Sequence, residues 1–560
     1  MKRNRWIGLI FISMAISLVI IDGTIVNTIF PKVIEDLKLT STQIQWVQES
    51  YVLVFASLLL VWGSLADRIG RRLLLMIGIS IFVVASIWAG TTTSADAMIL
   101  ARVVQGLGGA MVLPTTLSLV NATFSGRERG IAFAIWGSTI GGMVAIGPVL
   151  GGWLATDFSW RWAFNINAPF GLLILIGLAI FVNESKQEQR AGGIDFVGAL
   201  ISVVMFATLV FGLIEGRVYG WWEASDKNVF QLGEFKWPTD GISVIPVALA
   251  ISAVTTVIFV LWERAREKAH KNVLLDLGLF HIASFRNGSI AALIISMGEF
   301  GLLFAIPLWL QNVGGLSPVS SGLVLLWLAG GAFLASGAGA GLSGKVSAVN
   351  QVRAGVVLEL LGVLGVAVFA GNDGGWGLVA PCLAIYGIGV GLATAQLTGV
   401  IMVDVPLEKV GQGSGSQSTV RQIGSALGIA VLGTALFTSV QAVGETKLEQ
   451  TAFVQSIPAE HRSEVVKGVS DVVVESAGGA LQQLDQLTAG VAMQHGSLIP
   501  MTPDQAAEVK AAGFESFSQG VRTTGYFAAG FLFLGLLSTL NLGSGKTGSA
   551  KRGSRKQTDA

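Results

Sequence analysis

Four of the ionisable side chains inside long apolar runs of this sequence are candidates for chemistry, because a charge is costly to bury there. They are Asp22, Glu49, Arg102 and Glu299. An ionised group at the centre of a membrane-spanning helix costs about 2.5–3.5 kcal/mol on insertion scales, so such groups usually have a function. A carboxylate in a medium of low dielectric takes up a proton more readily, and a neighbouring guanidinium opposes that uptake. These residue types therefore indicate proton carriage or the binding of a cation.

Three of the four charges are predicted to lie at a similar depth in the bilayer. Asp22 precedes Pro31 by nine residues, Glu49 is five residues into its run, and Arg102 follows Asp96 by six residues. At ~1.5 Å per residue, these spacings place all three in the third of the bilayer nearest one surface. We predict that Asp22 and Arg102 form a proton-responsive pair, with Glu49 as a nearby partner or cation ligand. A fixed ion pair that only locks helix packing is the alternative.

Glu299 lies near the middle of its own apolar run. A carboxylate at that depth is expected to bind a cation in a central cavity or to carry a proton. Aromatic rings attract cations through their faces, and the sequence offers Phe300, Phe304 and Tyr386. Contact with lipid or ordinary packing is an equally good interpretation of these rings.

The elements that hold these side chains are apolar helices. The 560 residues are 52% hydrophobic and only 13% charged, whereas roughly a quarter of the residues in average soluble proteins are charged. This composition excludes a soluble enzyme and a disordered chain, and it predicts an all-α polytopic membrane protein. Runs of the length needed to cross a bilayer, roughly 20 residues, predict fourteen transmembrane helices, at 6–30, 44–65, 73–92, 96–120, 129–155, 162–183, 194–215, 242–263, 288–311, 318–343, 351–371, 375–400, 416–440 and 519–542.

The distribution of lysine and arginine predicts the orientation. Most of them lie in alternate short loops, including 66–72 and 402–421, and in the two tails. By the positive-inside rule, we expect a multi-pass protein of the cytoplasmic membrane with both termini in the cytoplasm. Residues 216–241 and 441–518 are then outer loops, and 544–560 form a basic cytoplasmic tail. The long 441–518 segment is predicted either as a small helical cap or as a solvated loop.

Other kinds of site are not indicated. The single cysteine, Cys382, excludes an intramolecular disulfide and a cysteine metal cage. The spans contain no nucleophile–base constellation, so we expect neither an enzyme nor a metal site. A net charge of +1 gives no general attraction to nucleic acid.

One string between the second and third spans is specific enough to indicate a mechanism. It comprises Gly63, Asp67, Arg68, Gly70, Arg71 and Arg72 in the order G-x-x-x-D-R-x-G-R-R. Glycine permits a tight turn with positive φ, and an aspartate can accept hydrogen bonds from the amides at a helix start. The arginines can pair with carboxylates or lipid phosphates. Positive-inside anchoring alone is the simpler alternative.

This string resembles the loop signature of the major facilitator superfamily. Residues 100–110 in span four resemble the second motif of that family, and residues 21–31 are similar to a signature of its fourteen-span drug:proton antiporter branch. The stretch 405–428 also fits that branch. Span five resembles the antiporter motif, with packing or hinge residues Gly141, Gly147, Pro148, Gly151 and Gly152. Small residues allow helices to approach closely, and ordinary tight packing is the alternative to a hinge.

The resemblance implies a fold of two six-helix bundles, residues 1–185 and 286–543, with two inserted helices in 186–285. It implies that span five meets span 318–343 at the interface between the bundles, and it supports Asp22 and Arg102 as functional residues. The implied function is proton-coupled efflux of amphipathic, possibly cationic, drugs by alternating access. The expected partners are such a small molecule, protons and membrane lipids; we expect a monomer that needs no cofactor. An exporter or symporter of one endogenous metabolite or lipid is the first alternative, and a non-transporting receptor or scaffold is the second.

Overall fold

A computed structural model describes most of the chain: residues 2–39, 41–186, 193–225, 228–232, 235–342, 345–371, 375–476, 491–492, 498–499 and 501–542. The predicted basic tail, 544–560, lies outside these residues. The described chain is almost entirely helical, apart from two small antiparallel hairpins. The first pairs β1 (Gln231–Leu232) with β2 (Phe235–Lys236), and the second pairs β3 (Val491–Ala492) with β4 (Leu498–Ile499).

The helices follow the apolar runs of the sequence. In chain order they are α1 (Lys2–Leu37), α2 (Ser41–Ile69), α3 (Arg71–Thr91), α4 (Ala95–Thr123), α5 (Gly126–Asp157), α6 (Trp162–Asn165), α7 (Asn167–Phe181), α8 (Phe196–Tyr219), α9 (Val244–Lys268), α10 (Ala283–Asn312), α11 (Pro318–Leu342), α12 (Ala348–Phe369), α13 (Val379–Met402), α14 (Val410–Glu449), α15 (Ala452–Gln455), α16 (Ala459–Glu475) and α17 (Pro503–Ser538). Helices satisfy their own backbone hydrogen bonds, which is the condition for crossing a bilayer.

Thirteen of the described helical segments are long and apolar enough to cross a membrane. They match the predicted spans, with α6 and α7 together forming one of them. The remaining predicted span, 129–155, falls in the 32-residue helix α5, where the side chains of residues 127, 141, 144 and 145 are not described. The all-α membrane fold is thus confirmed, while the count of fourteen stays a prediction.

Helix α14 extends beyond its predicted span at both ends. The predicted span begins at residue 416, and the prediction of a loop before it is wrong for residues 410–415, which are helical. Their glycines and serines have modest helix propensity, but Gly411 to Thr419 are buried. Buried backbone needs internal hydrogen bonds, and small residues permit the close packing that buries it.

Most of the described part of segment 441–518 is helical, as the helical-cap alternative predicts, and the hairpin of β3 and β4 also lies in it. Helix α14 continues to Glu449, α16 follows, and α17 already begins at Pro503. The apolar side of α16 packs against α14 and α17, where Val469 and Val473 face Leu448 and Val509 across a narrow apolar gap. Residues 477–490, 493–497 and 500 lie outside the described residues.

The described helices pack as two groups with a pair beside them. Helices α1–α7, here called the N-half, enclose their own apolar clusters, and α10–α17, the C-half, enclose most of the largest cluster. The halves meet where α5 packs on α11 and α2 packs on α14. Helices α8 and α9 pack on each other, and α8 also touches both α2 and α14.

Candidate functional site

Asp22 and Arg102 form a buried ion pair inside the N-half. Arg102 Nη1 lies 2.6 Å from Asp22 Oδ2, and both side chains are 0% exposed. The pair joins the middle of α1 to α4. Arg102 also donates from Nε to the Val47 carbonyl oxygen (3.2 Å) and from Nη1 to Gln105 Oε1 (2.6 Å). Its guanidinium carbon stands 4.2 Å from the centroid of the Tyr51 ring, which adds a cation–π contact.

The second oxygen of Asp22 is held by two amide side chains. Gln105 Nε2 donates to Oδ1 at 2.6 Å and Asn167 Nδ2 at 2.9 Å. Both amides also reach Ser86 Oγ, at 2.8 and 3.1 Å. This group is here called the Asp22 cluster and comprises Asp22, Ser86, Arg102, Gln105 and Asn167. It connects α1, α3, α4 and α7. One carboxylate and one guanidinium balance its charge.

Glu49 is not part of this cluster in the described structure. It lies in α2, two residues after Val47, and its Oε2 is buried with no hydrogen-bond partner among the described residues. The helix that carries Glu49 does reach the pair, because the Val47 carbonyl oxygen accepts a hydrogen bond from Arg102. Its proposed role as a cation ligand stays a prediction.

Glu299 belongs to a second polar group, inside the C-half. Its Oε1 accepts a hydrogen bond from Thr394 Oγ1 (3.1 Å), and its Oε2 lies 3.6 Å from Arg421 Nη2. The hydroxyl of Tyr386 donates to the Glu299 carbonyl oxygen at 3.1 Å. Glu299, Tyr386, Thr394 and Arg421 are here called the Glu299 cluster, which joins α10, α13 and α14.

The aromatic residues predicted beside Glu299 differ in their surroundings. Tyr386 is fully buried and is hydrogen-bonded as described above. Phe304 packs on Phe437, with ring centroids 6.4 Å apart, and Phe300 is half-buried. Their role as a substrate surface stays a prediction.

Asp67 joins the two halves at one end of the bundle. Its Oδ1 accepts from Arg71 Nη2 (2.7 Å) and Nε (3.1 Å). The backbone N–H of Gly411, at the start of α14, donates to both carboxylate oxygens, at 3.0 and 2.9 Å. Arg71 further donates to the Leu407 carbonyl oxygen at 3.3 Å. Asp67 therefore accepts from a helix-start amide, as its residue type predicts, and this amide belongs to the other half.

The end of the bundle that carries Asp67, Arg71 and Gly411 is here called the Asp67 face. Close packing of α2 on α14 shuts it in this structure. A Cβ built on Gly63 would lie 2.5 Å from the Cα of Gly415 and 2.7 Å from the carbonyl oxygen of Gly411. The two backbones thus approach to a distance that only glycine permits.

The 63–72 string is less of a loop than its sequence predicts. Helix α2 continues to Ile69 and α3 begins at Arg71, so only Gly70 is outside a helix, with φ of 120°. The Arg72 N–H donates to Glu184 Oε1 at 3.0 Å, and its Nη1 donates to the Val182 carbonyl oxygen at 2.9 Å. Arg68 Nη1 donates to the Gly193 carbonyl oxygen at 2.9 Å. These bonds tie the turn to the chain beyond α7.

The small residues of span five divide between two neighbours. Gly147 and Gly151 face Thr24, Ile25 and Thr28 of α1, within the N-half. Gly152 faces Val319 of α11, and Pro148 contacts Gly322 of the same helix. The predicted meeting of span five with span 318–343 is therefore present, although only part of the motif makes it. The side-chain surroundings of position 141, where the motif has Gly141, lie outside the described residues.

Sequence reasoning missed several members of both clusters. Ser86 and Asn167 are uncharged polar residues within apolar runs, and Gln105 follows Arg102 by one helical turn. Because residues three apart share a helix face, Gln105 was detectable from its spacing. Arg421 and Thr394 carry no comparable spacing signal, because they join Glu299 only through tertiary packing.

Comparison with known proteins points to one family. The family model of the Major Facilitator Superfamily matches residues 12–429. The multidrug resistance protein Stp of Mycobacterium tuberculosis is 30% identical over 523 residues, which cover 93% of this chain and 89% of Stp. The tetracenomycin C resistance and export protein of Streptomyces glaucescens is 29% identical over 441 residues, covering 79% of this chain and 77% of that protein.

Solved structures show the same fold. The human organic anion transporter MFSD10 aligns with a TM-score of 0.57 over 96% of this chain and 99% of its own. Sequence identity in that alignment is only 11%, so the likeness concerns the arrangement of helices alone.

Proposed function

Because this chain belongs to the Major Facilitator Superfamily, we propose that it is a proton-coupled antiporter. It exports amphipathic, cationic compounds across the cytoplasmic membrane in exchange for protons. Support for the direction of transport comes from relatives whose names denote multidrug resistance and the export of an antibiotic. Support for proton coupling comes from the buried Asp22–Arg102 pair, the single observation that carries the proposal.

The proposed coupling step takes place at the Asp22 carboxylate. A proton arriving there cancels the charge that holds Arg102, and a buried guanidinium without its counter-charge is costly. Three side chains hydrogen-bond to Asp22, namely Arg102 and Gln105 of α4 and Asn167 of α7, and the two amides also reach Ser86 of α3. Loss of the pair therefore loosens α1, α3, α4 and α7 together. Protonation thereby favours a different packing of the N-half.

The proposed transport cycle alternates access between the two membrane surfaces. Residues 1–185 and 286–543 act as the two moving bundles, and 186–285 is the inserted pair. The Asp67 face is assigned to the cytoplasm, with both termini, so the structure corresponds to the state closed toward the cytoplasm. The packing of α5 on α11, through Gly152 and Pro148, is the contact about which the bundles rock.

The substrate is proposed to reach a cavity between the bundles near Glu299, where a carboxylate and aromatic rings suit a lipophilic cation. Glu49 is a further cation ligand. The driving force is the proton gradient, with no cofactor and no enzymatic step. The protein acts as a monomer in contact with lipid and has no nucleic-acid partner.

Efflux from cells tests this function. Cells expressing the protein should accumulate less of at least one lipophilic cationic dye or antibiotic from a panel than cells carrying an empty vector. A protonophore should abolish the difference, because it removes the gradient. An unchanged accumulation of every compound would favour an exporter or symporter of one endogenous metabolite or lipid. Failure to move any solute after reconstitution would favour a receptor or scaffold.

A further inference from the structure

Glu359 is a buried carboxylate to which the account above gives no part. The sequence places it six residues after Arg353, which suggests a side chain that reaches toward the membrane surface. The structure contradicts that interpretation, because α12 begins at Ala348 and ends at Phe369. Glu359 is thus at the centre of the helix, roughly 16 Å from either end at ~1.5 Å per residue.

No described residue donates a hydrogen bond to the carboxylate of Glu359. The residue is 0% exposed, and neither of its carboxylate oxygens has a hydrogen-bond partner among the described residues. A buried ionised carboxylate without a hydrogen bond or a close counter-ion is strongly unfavourable. A protonated carboxyl at the same place costs far less, because it carries no charge.

Charged groups from other helices act on Glu359. Glu299 of α10 repels its charge and Arg421 of α14 attracts it. Glu359 lies against Gly389 of α13, where a built Cβ would be 2.6 Å from Glu359 Cγ; one turn earlier on α13, Tyr386 donates to the Glu299 carbonyl oxygen. Arg522 of α17 donates to the Val368 carbonyl oxygen near the end of α12. Arg421 is already 3.6 Å from Glu299, so the charge of one guanidinium acts on two carboxylates. Two like charges that share one counter-charge favour the binding of one further positive charge.

We propose that Glu359 carries an exchangeable proton, which leaves when a cationic substrate reaches the Glu299–Arg421 pair. The charge balance is simple, since one proton is released to water and one positive charge takes its place. The inference rests on the proposed antiport function and deepens it, because it adds a proton site in the C-half to the Asp22 cluster in the N-half.

Infrared difference spectroscopy of the purified full-length protein tests this site without transport. The wild-type protein at neutral pH should show a carbonyl-stretch band of a protonated carboxyl group. The band should disappear in Glu359→Gln, persist in the control Asp404→Asn, which changes an exposed carboxylate outside both clusters, and move to a different frequency in Glu359→Asp. An unchanged band in Glu359→Gln would overturn the proposal. If Glu359→Gln fails to fold, an unshifted band in Glu359→Asp would overturn it instead.

Adding tetraphenylphosphonium, a lipophilic monocation, tests the exchange. The wild-type band should decrease while a weakly buffered pH indicator reports proton release, and Glu359→Gln should release fewer protons. A wild-type band that does not respond to the cation would refute the exchange. Uphill transport of the same cation by proteoliposomes is measured separately, with a pH gradient as the driving force. If the Glu359 band is present but no uphill transport occurs, the antiport function is refuted and the proton site is not.

Discussion

Replacing Asp22 with asparagine is expected to abolish proton-driven transport. Asparagine has nearly the same shape, but it cannot take up and release a proton, and it leaves the Arg102 guanidinium without its counter-charge. Breaking a buried pair in this way destabilises a protein by roughly 3–5 kcal/mol. In proteoliposomes with an imposed pH gradient, the initial rate of dye transport should fall to that of protein-free liposomes.

Two further variants separate coupling from folding. Asp36→Asn changes a carboxylate on the same helix that is half-exposed and bonded to Trp160 and Arg161, so it should transport at nearly the wild-type rate. The double variant Asp22→Asn/Arg102→Gln removes the orphaned charge, so its thermal stability should exceed that of Asp22→Asn while transport stays absent. Proton-driven transport at the full rate by Asp22→Asn would refute the role of the pair.

Replacing Asp67 with alanine is expected to open the Asp67 face. The substitution leaves Arg71 without its counter-charge and removes the acceptor of the Gly411 N–H, so the contact between α2 and α14 loses its polar bonds. A cysteine at Ser414, which is buried on α14, reports the opening. The parent protein for this comparison carries Ser414→Cys and Cys382→Ser. Adding Asp67→Ala should make the labelling of Ser414→Cys by N-ethylmaleimide at least about tenfold faster, because a loss of 1.4 kcal/mol from the closed state changes the population of the open state tenfold.

Asp404 supplies the matched control for this experiment. It is an exposed carboxylate close to the same end of α14, and it accepts a hydrogen bond from Ser284 at 2.8 Å. Asp404→Ala should leave the labelling of Ser414→Cys at the rate of the parent protein. Equal labelling rates in Asp67→Ala and the parent would show that Asp67 does not hold this face closed.

The pairing of Asp22 with Arg102 could be predicted because both depth and charge are readable from a sequence. Residues counted from the end of an apolar run give depth at ~1.5 Å each, and opposite charges at equal depth attract. The direction in which a side chain points around its helix is not readable in the same way. Ser86 and Asn167 were therefore missed, although their own helices were predicted correctly.

Errors in helix ends account for two further differences between the sequence prediction and the structure. The spacing from Arg353 places Glu359 too close to the membrane surface, because α12 begins five residues before Arg353, at Ala348. The start of α14 was missed because glycine and serine have lower helix propensity than alanine or leucine. Burial of this segment against α2 outweighs its low helix propensity. The same packing brings the Gly411 N–H, at the start of α14, within hydrogen-bond distance of the Asp67 carboxylate.

The central claim is that substrate and protons move in opposite directions through this protein. The most direct measurement is the reverse reaction in proteoliposomes that hold a pH-sensitive dye and have no initial pH gradient. The proteoliposomes are loaded with tetraphenylphosphonium, diluted into a medium without it, and kept at a clamped membrane potential. Exit of the cation through the protein should then bring protons in and acidify the lumen. Exit of the cation through the protein without acidification of the lumen would contradict proton-coupled antiport.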